Sequence, residues 1–101
     1  MKCRQIVAVL EYGNYDTGSF SKKDEYLLTR IIPGAWNIPP PERGSEVSVM
    51  KEKFTVAKIA YSFPEEEYTM IVNKRFTDIK KMNDVRNKML GEGWTYFLAM
   101  P

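Results

Sequence analysis

Few side chains in this chain have both the type and the spacing for chemistry. Cys3 sits between Lys2 and Arg4, which could in principle activate a thiolate, but neighbours along a strand point to opposite faces, so neither cation is aimed at the sulfur. The thiol reads as structural. Histidine is absent, which removes the usual general acid or base at neutral pH and the usual zinc ligand. Asp16, Asp24 and Glu25 are scattered around one early segment, and Glu65, Glu66 and Glu67 are consecutive, so the triplet cannot converge on one side of a strand and reads as a solvated turn. Neither the dinucleotide fingerprint nor the Walker spacing occurs. Gly91-Glu92-Gly93 follows a helical pattern and offers carbonyl ends where an anion would need N–H groups. The expectation is a chain that is not an enzyme and carries no metal or cofactor.

Binding is the chemistry that remains. Lys51, Lys53, Lys58, Lys74 and Arg75 gather around one apparent hairpin, and a sheet with aromatics and basic residues can stack bases and track phosphates. The acidic Glu65–Glu67 turn opposes such a track, which leaves nucleic acid as the alternative reading. Tyr15 and Trp36 fall in loop-like stretches, where aromatics serve as interface anchors or as lids over their own core. Lys22, Lys23 and Arg43 could hold an anion such as a nucleotide phosphate between the 13–23 and 33–45 segments. The candidate partner-binding residues are therefore Tyr15, Lys22, Lys23, Trp36, Arg43, Lys74 and Arg75.

The elements that must position these residues come from 101 residues, 44% of them apolar, enough for one modest core. A net charge of +2 selects no partner. A single cysteine excludes an intramolecular disulfide and fits a reducing interior. The apolar run Ile6–Leu10 is too short for a signal peptide, and nothing approaches the roughly 18 apolar residues of a membrane span. These features predict a cytoplasmic protein that does not enter a membrane.

Gln5–Tyr12 predicts a strand with Ile6, Ala8, Leu10 and Tyr12 on one face and Val7 and Val9 on the other, apolar on both sides and hence central. Gly13–Ser19 reads as a loop. Ser21–Ile32 is ambiguous. Ser21 and Asp24 loosely resemble a capping box opening a helix with Tyr26, Leu27, Arg30 and Ile31 on one face, whereas Tyr26, Leu28 and Ile32 would alternate in a strand. The helix is favoured. Pro33–Ser45, with Ile38-Pro39-Pro40-Pro41, predicts an ordered loop. Within Glu46–Phe63 the alternation changes phase, which calls for a break near Lys51–Lys53 or a bulge near Ala57–Lys58. Phe54–Phe63 and Tyr68–Phe76 predict a hairpin. Thr77–Leu90 predicts a helix capped by Thr77 or Asp78, burying Ile79, Met82, Val85, Met89 and Leu90, with Gly91 in the left-handed position after it. Trp94–Met100 predicts a short apolar strand.

This order predicts a single α+β domain, an antiparallel sheet of four or five strands with one or two helices on one face and ferredoxin-like βαββαβ order favoured. The ending Met82–Met100 is similar to those of small α+β domains of unknown function, including phage-encoded ones, and the resemblance implies a compact accessory protein that binds a host component. Helices on one side leave apolar surface on the other, to be covered either by the Pro33–Ser45 loop with Trp36 as its plug or by a second copy. The functional expectation is a small non-enzymatic interaction protein that binds a protein partner and forms a homodimer through a sheet face.

Overall fold

The computed structural model describes residues 1–97. They form β1 (Lys2–Asp16), β2 (Ser19–Trp36), β3 (Glu46–Val49), β4 (Glu52–Ser62), β5 (Glu67–Phe76), α1 (Ile79–Gly91) and β6 (Thr95–Tyr96). All six strands share one sheet in the order β3-β4-β5-β1-β2-β6. β1 is central, as its two apolar faces require, and pairs antiparallel with β2 but parallel with β5. With 62% strand, 13% helix and one helix, the molecule is mostly β around a mixed sheet. This overturns the α+β, ferredoxin-like expectation.

The error lies in Ser21–Ile32, which is strand throughout. Leu28 and Ile32 are buried on one face, while Leu27, Thr29 and Ile31 register against Val9, Val7 and Gln5 on the other. β-branched Thr29, Ile31 and Ile32 favour this pleat. The capping pair never forms, because the Asp24 carboxylate accepts from the adjacent N–H of Glu25 at 2.8 Å. Gly13–Ser19 is likewise strand for most of its length. β1 and β2 continue past the sheet as a hairpin arm closed by Thr17 and Gly18, whose φ values of 48° and 83° suit the primed two-residue turn. Gly13 allows the arm's strands to approach, since a Cβ there would lie 2.0 Å from the carbonyl oxygen of Ser21.

The phase change in Glu46–Phe63 has two causes. Met50 and Lys51, at φ 54° and 65°, turn β3 back into β4, and a bulge separates Val56 from Lys58 where β4 meets β5. Both anticipated irregularities are present.

α1 starts at Asp78, whose carboxylate accepts from the N–H of Lys80 at 2.9 Å. Met82, Val85 and Met89 are buried as expected, whereas Ile79 is exposed. Gly93, not Gly91, takes the left-handed conformation (φ 95°). The N–H groups of Glu92 and Trp94 both donate to Met89 O, and Trp94 is thereby brought into the core, 3% exposed. Of the expected last strand, the described residues form Thr95–Tyr96 on the β2 edge, with Trp94 and Phe97 outside it, and Leu98, Ala99 and Met100 lie outside the described residues.

One sheet face carries the core, with Ile6, Ala8 and Leu10 of β1 beside Leu28, Val72, Met70 and Phe54. α1 lies over β1 and β5. It is tied on one flank by Tyr26 Oη donating to Asn83 Oδ1 (3.0 Å) and by Arg86 over the Tyr26 ring (4.5 Å). On the other flank Lys88 Nζ donates to Met50 O (3.0 Å). The proline-rich loop covers this same face, so the expected cover for the opposite face is absent and Trp36, 53% exposed, plugs nothing there.

Candidate functional site

Four strands contribute one residue each to a row across the covered face: Trp36 of β2, Cys3 of β1, Tyr68 of β5 and Tyr61 of β4. The inner pair is buried and the outer pair is exposed. Gly34 and Ala35, at φ 73° and 52°, kink β2 immediately before Trp36. The chain then passes back over the row, and Tyr68 Oη donates to Ile38 O at 2.8 Å. Three consecutive prolines follow, stiff and without backbone donors.

A stiff loop drawn across a flat sheet does not fill the space beneath it. Between the sheet, β3 and the Ile38–Pro41 segment lies a cavity of about 350 Å³, within the range of ligand pockets. Its sheet wall is Cys3, Ile6, Ile32, Tyr68 and Met70, and its roof includes Val47, Val49 and Pro39. Trp94 closes one side, and its indole N–H is buried with no acceptor among the described residues. Trp36 and Ile38, both large and exposed, form the lip. At the other end of the row, on β4, Tyr61 stacks with Phe63 at 6.2 Å, and Phe63 is 69% exposed.

Electrostatically the wall is sparse. Burial pushes the Cys3 thiol up, with the Gln5 carbonyl opposing more weakly. Burial likewise pushes the Tyr68 phenol up to about 12, and the nearby Cys3 adds to the effect. Both stay protonated at neutral pH. Among the described residues of the wall, Arg30 alone is formally charged. It registers against Ile6 and shares a strand face with buried Leu28 and Ile32, yet it is itself exposed, which puts it at the rim.

Of the sequence-derived candidates, only Trp36 is part of this cavity. Arg43 lines a shallow groove on the outer side of the loop, with Pro40, Lys58 and Tyr61. Tyr15, Lys74 and Arg75 share another shallow groove near the arm with Lys53 and Asn73. Lys22 pairs with Glu25 at 2.7 Å, which raises its ammonium pKa, and Lys23 is exposed on the arm. Lys22 and Lys23 lie on the arm and Arg43 in the groove beside the proline-rich loop, so the structure does not bring the three together around an anion. Three of the five basic residues gathered around the hairpin have a carboxylate beside them, Lys53 by Glu46, Lys74 by Glu52 and Arg75 by Glu11, each at 3.9 Å.

Sequence reasoning missed Arg30, Val47, Val49 and Tyr68 as neighbours. The only signal was an arginine inside the run Leu27-Leu28-Thr29-Arg30-Ile31-Ile32, a charge where a strand's core face should be apolar.

The opposite sheet face is mixed, with Val7 buried at its centre. Gln5 joins two threonines across three strands, donating to Thr29 Oγ1 (2.9 Å) and accepting from Thr69 Oγ1 (3.5 Å). Near the arm Asn73 Nδ2 donates to Glu11 Oε1 at 3.0 Å. Between these polar ladders runs an apolar strip of Ile71, Val7, Val9 and Leu27, and the N–H of Phe97 donates to Leu27 O beside it (2.8 Å). No helix of the described residues is long and apolar enough to cross a membrane, and no group of three or more His, Cys, Asp or Glu among them could hold a metal ion.

Compared with protein-family models, curated proteins and solved structures, the chain matches none.

Proposed function

We propose that this chain is a small non-enzymatic interaction protein that takes an apolar group of a protein partner into the cavity beneath the proline-rich loop. The observation that carries the reading is the cavity together with its lip. A 350 Å³ apolar space opens between exposed Trp36 and Ile38, and buried pockets rimmed by aromatics are where interface energy concentrates. The proton-bearing groups on the wall support binding over catalysis, since Cys3 and Tyr68 are both shifted away from ionisation and neither imidazole nor carboxylate accompanies them. Selection of peptides from a random library, counter-selected against Val47→Phe to fill the cavity, tests this. Peptides that bind the parent chain and not the filled variant are expected. Peptides that bind both equally would remove the cavity from the reading.

Self-association is a second reading, favoured by the half-buried strip of Ile71, Val9 and Leu27 around buried Val7 on the face opposite the helix. Two copies would bring their strips together, with the flanking polar ladders as rim. Sedimentation velocity across micromolar concentrations is expected to show a dimer that Leu27→Lys dissociates without lowering the thermal midpoint. A parent chain that stays monomeric ends this reading.

A further inference from the structure

We propose, resting on the partner-binding reading above, that the cavity recognises the C-terminal residue of a partner chain, an apolar side chain entering the space and the terminal carboxylate pairing with Arg30. Arg30 is the one formally charged residue that the described residues place on the cavity wall; it has neither a carboxylate within 4 Å nor a side-chain hydrogen bond among them, and no Asp or Glu lines the cavity. The guanidinium stands exposed at the rim of an apolar cavity, on the same strand face as buried Leu28 and Ile32, where an anion on an apolar ligand can meet it. Its planar fork matches a carboxylate in bidentate fashion.

The pairing of wall and rim then limits the occupant. The space accepts on the order of ten non-hydrogen atoms, judged by the ≈30 Å³ each water occupies in the liquid, so one bulky apolar side chain suffices to fill it. A residue inside a chain would present a neutral amide to Arg30. A C-terminal residue carries its side chain and its carboxylate on one Cα, as an apolar cavity with a cation on its rim requires, and capture of terminal carboxylates is an established mode of peptide recognition. The exposed lip of Trp36 and Ile38 gives the preceding residues of a peptide apolar surface to lie on, which a free small acid would leave unused.

The chain's two tryptophans, Trp36 and Trp94, both line the cavity, so intrinsic fluorescence reports occupancy directly. The experiment titrates the full chain with hexapeptides ending in Leu or Phe, each as free acid and as C-terminal amide, and with octanoate. Expected is saturable binding of the acids, amides weaker by on the order of tenfold, octanoate weaker than the acids, and no acid-over-amide preference in Arg30→Gln. Arg30→Lys is expected to keep part of the preference. Far-UV circular dichroism and thermal midpoints of the variants confirm folding, and Arg30's exposure predicts that they fold.

Acids and amides binding equally to the parent chain would overturn the carboxylate role and leave the partner-binding reading standing. Octanoate binding more tightly than any peptide would overturn the proposal in favour of a free amphipathic acid. If neither peptides nor octanoate bind the parent chain more tightly than Val47→Phe, this proposal and the reading beneath it both fail.

Discussion

The covered sheet face has two halves that differ in what lies on them. Over Ala8, Leu10, Leu28, Val72 and Phe76 the core is closed with Met82, Val85 and Met89 of α1. Over Cys3, Ile6, Ile32, Tyr68 and Met70 the cover is β3 and a proline-rich loop, and a 350 Å³ cavity remains. Both halves are mostly apolar; their lids differ. A helix delivers long, adaptable methionines every three or four residues. The loop's prolines have fixed φ angles and no free donors, its Ile38, Pro39 and Pro41 line the cavity without filling it, and it is held over the sheet by Tyr68 Oη donating to Ile38 O. Close packing is therefore a property of the lid, and the loosely lidded half is where a ligand finds room.

The strongest way to break this comparison is at the boundary. Trp94 is buried and closes the cavity against the helix end, so Trp94→Ala should cost about 3–5 kcal/mol, measured by urea unfolding; a loss below about 1 kcal/mol would mean the core does not depend on it. Next come paired volume increases, Val72→Leu in the closed half and Val47→Phe in the open one. Overpacking should cost the first about 1–3 kcal/mol, while the second should fall within about 1 kcal/mol of the parent chain, because space already exists. Equal penalties would show that both halves are packed alike.

Tyr68 sharpens the comparison by pH. Its phenol is pushed up to about 12 from an ordinary value of 10.0. As pH rises past 10 the unfolded chain loses this proton first, so the folded state's advantage is full below 10 and disappears progressively towards 12. Thermal midpoints of the parent chain should fall across that window more steeply than those of Tyr68→Phe, which should itself lose about 1 kcal/mol for the missing hydrogen bond at neutral pH. Parallel curves would show that the phenol ionises alike in both states. The smallest effect is expected at Lys81→Ala, on the exposed side of α1, with a change within about 0.5 kcal/mol.

Legibility followed the range of the interactions. The alternation of Ile6, Ala8 and Leu10 against Val7 and Val9, the β4–β5 hairpin, and the Met82, Val85, Met89 stripe are periodic within a few residues and were readable as such. Ser21–Ile32 was misread because its helical and strand patterns were nearly equal locally, and the long edge of β1 decided between them. Trp36 was found as a candidate from its type and its loop. Lys22, Lys23, Arg43, Lys74 and Arg75 were singled out by charge alone, and the structure disperses them over separate surfaces and pairs most of them with acids.

By itself the chain determined which residues seek the interior, where α1 starts and stops, and that no imidazole or second thiol is available for chemistry, because those properties reside in side chains and short-range periodicity. Only the tertiary structure decided that β1 lies parallel to β5, that Trp36, Cys3, Tyr68 and Tyr61 form one row, and that Arg30 stands at the rim of a cavity. Register between strands far apart in the chain is selected by the total fit of the sheet and its lids, and no local stretch of residues encodes that sum.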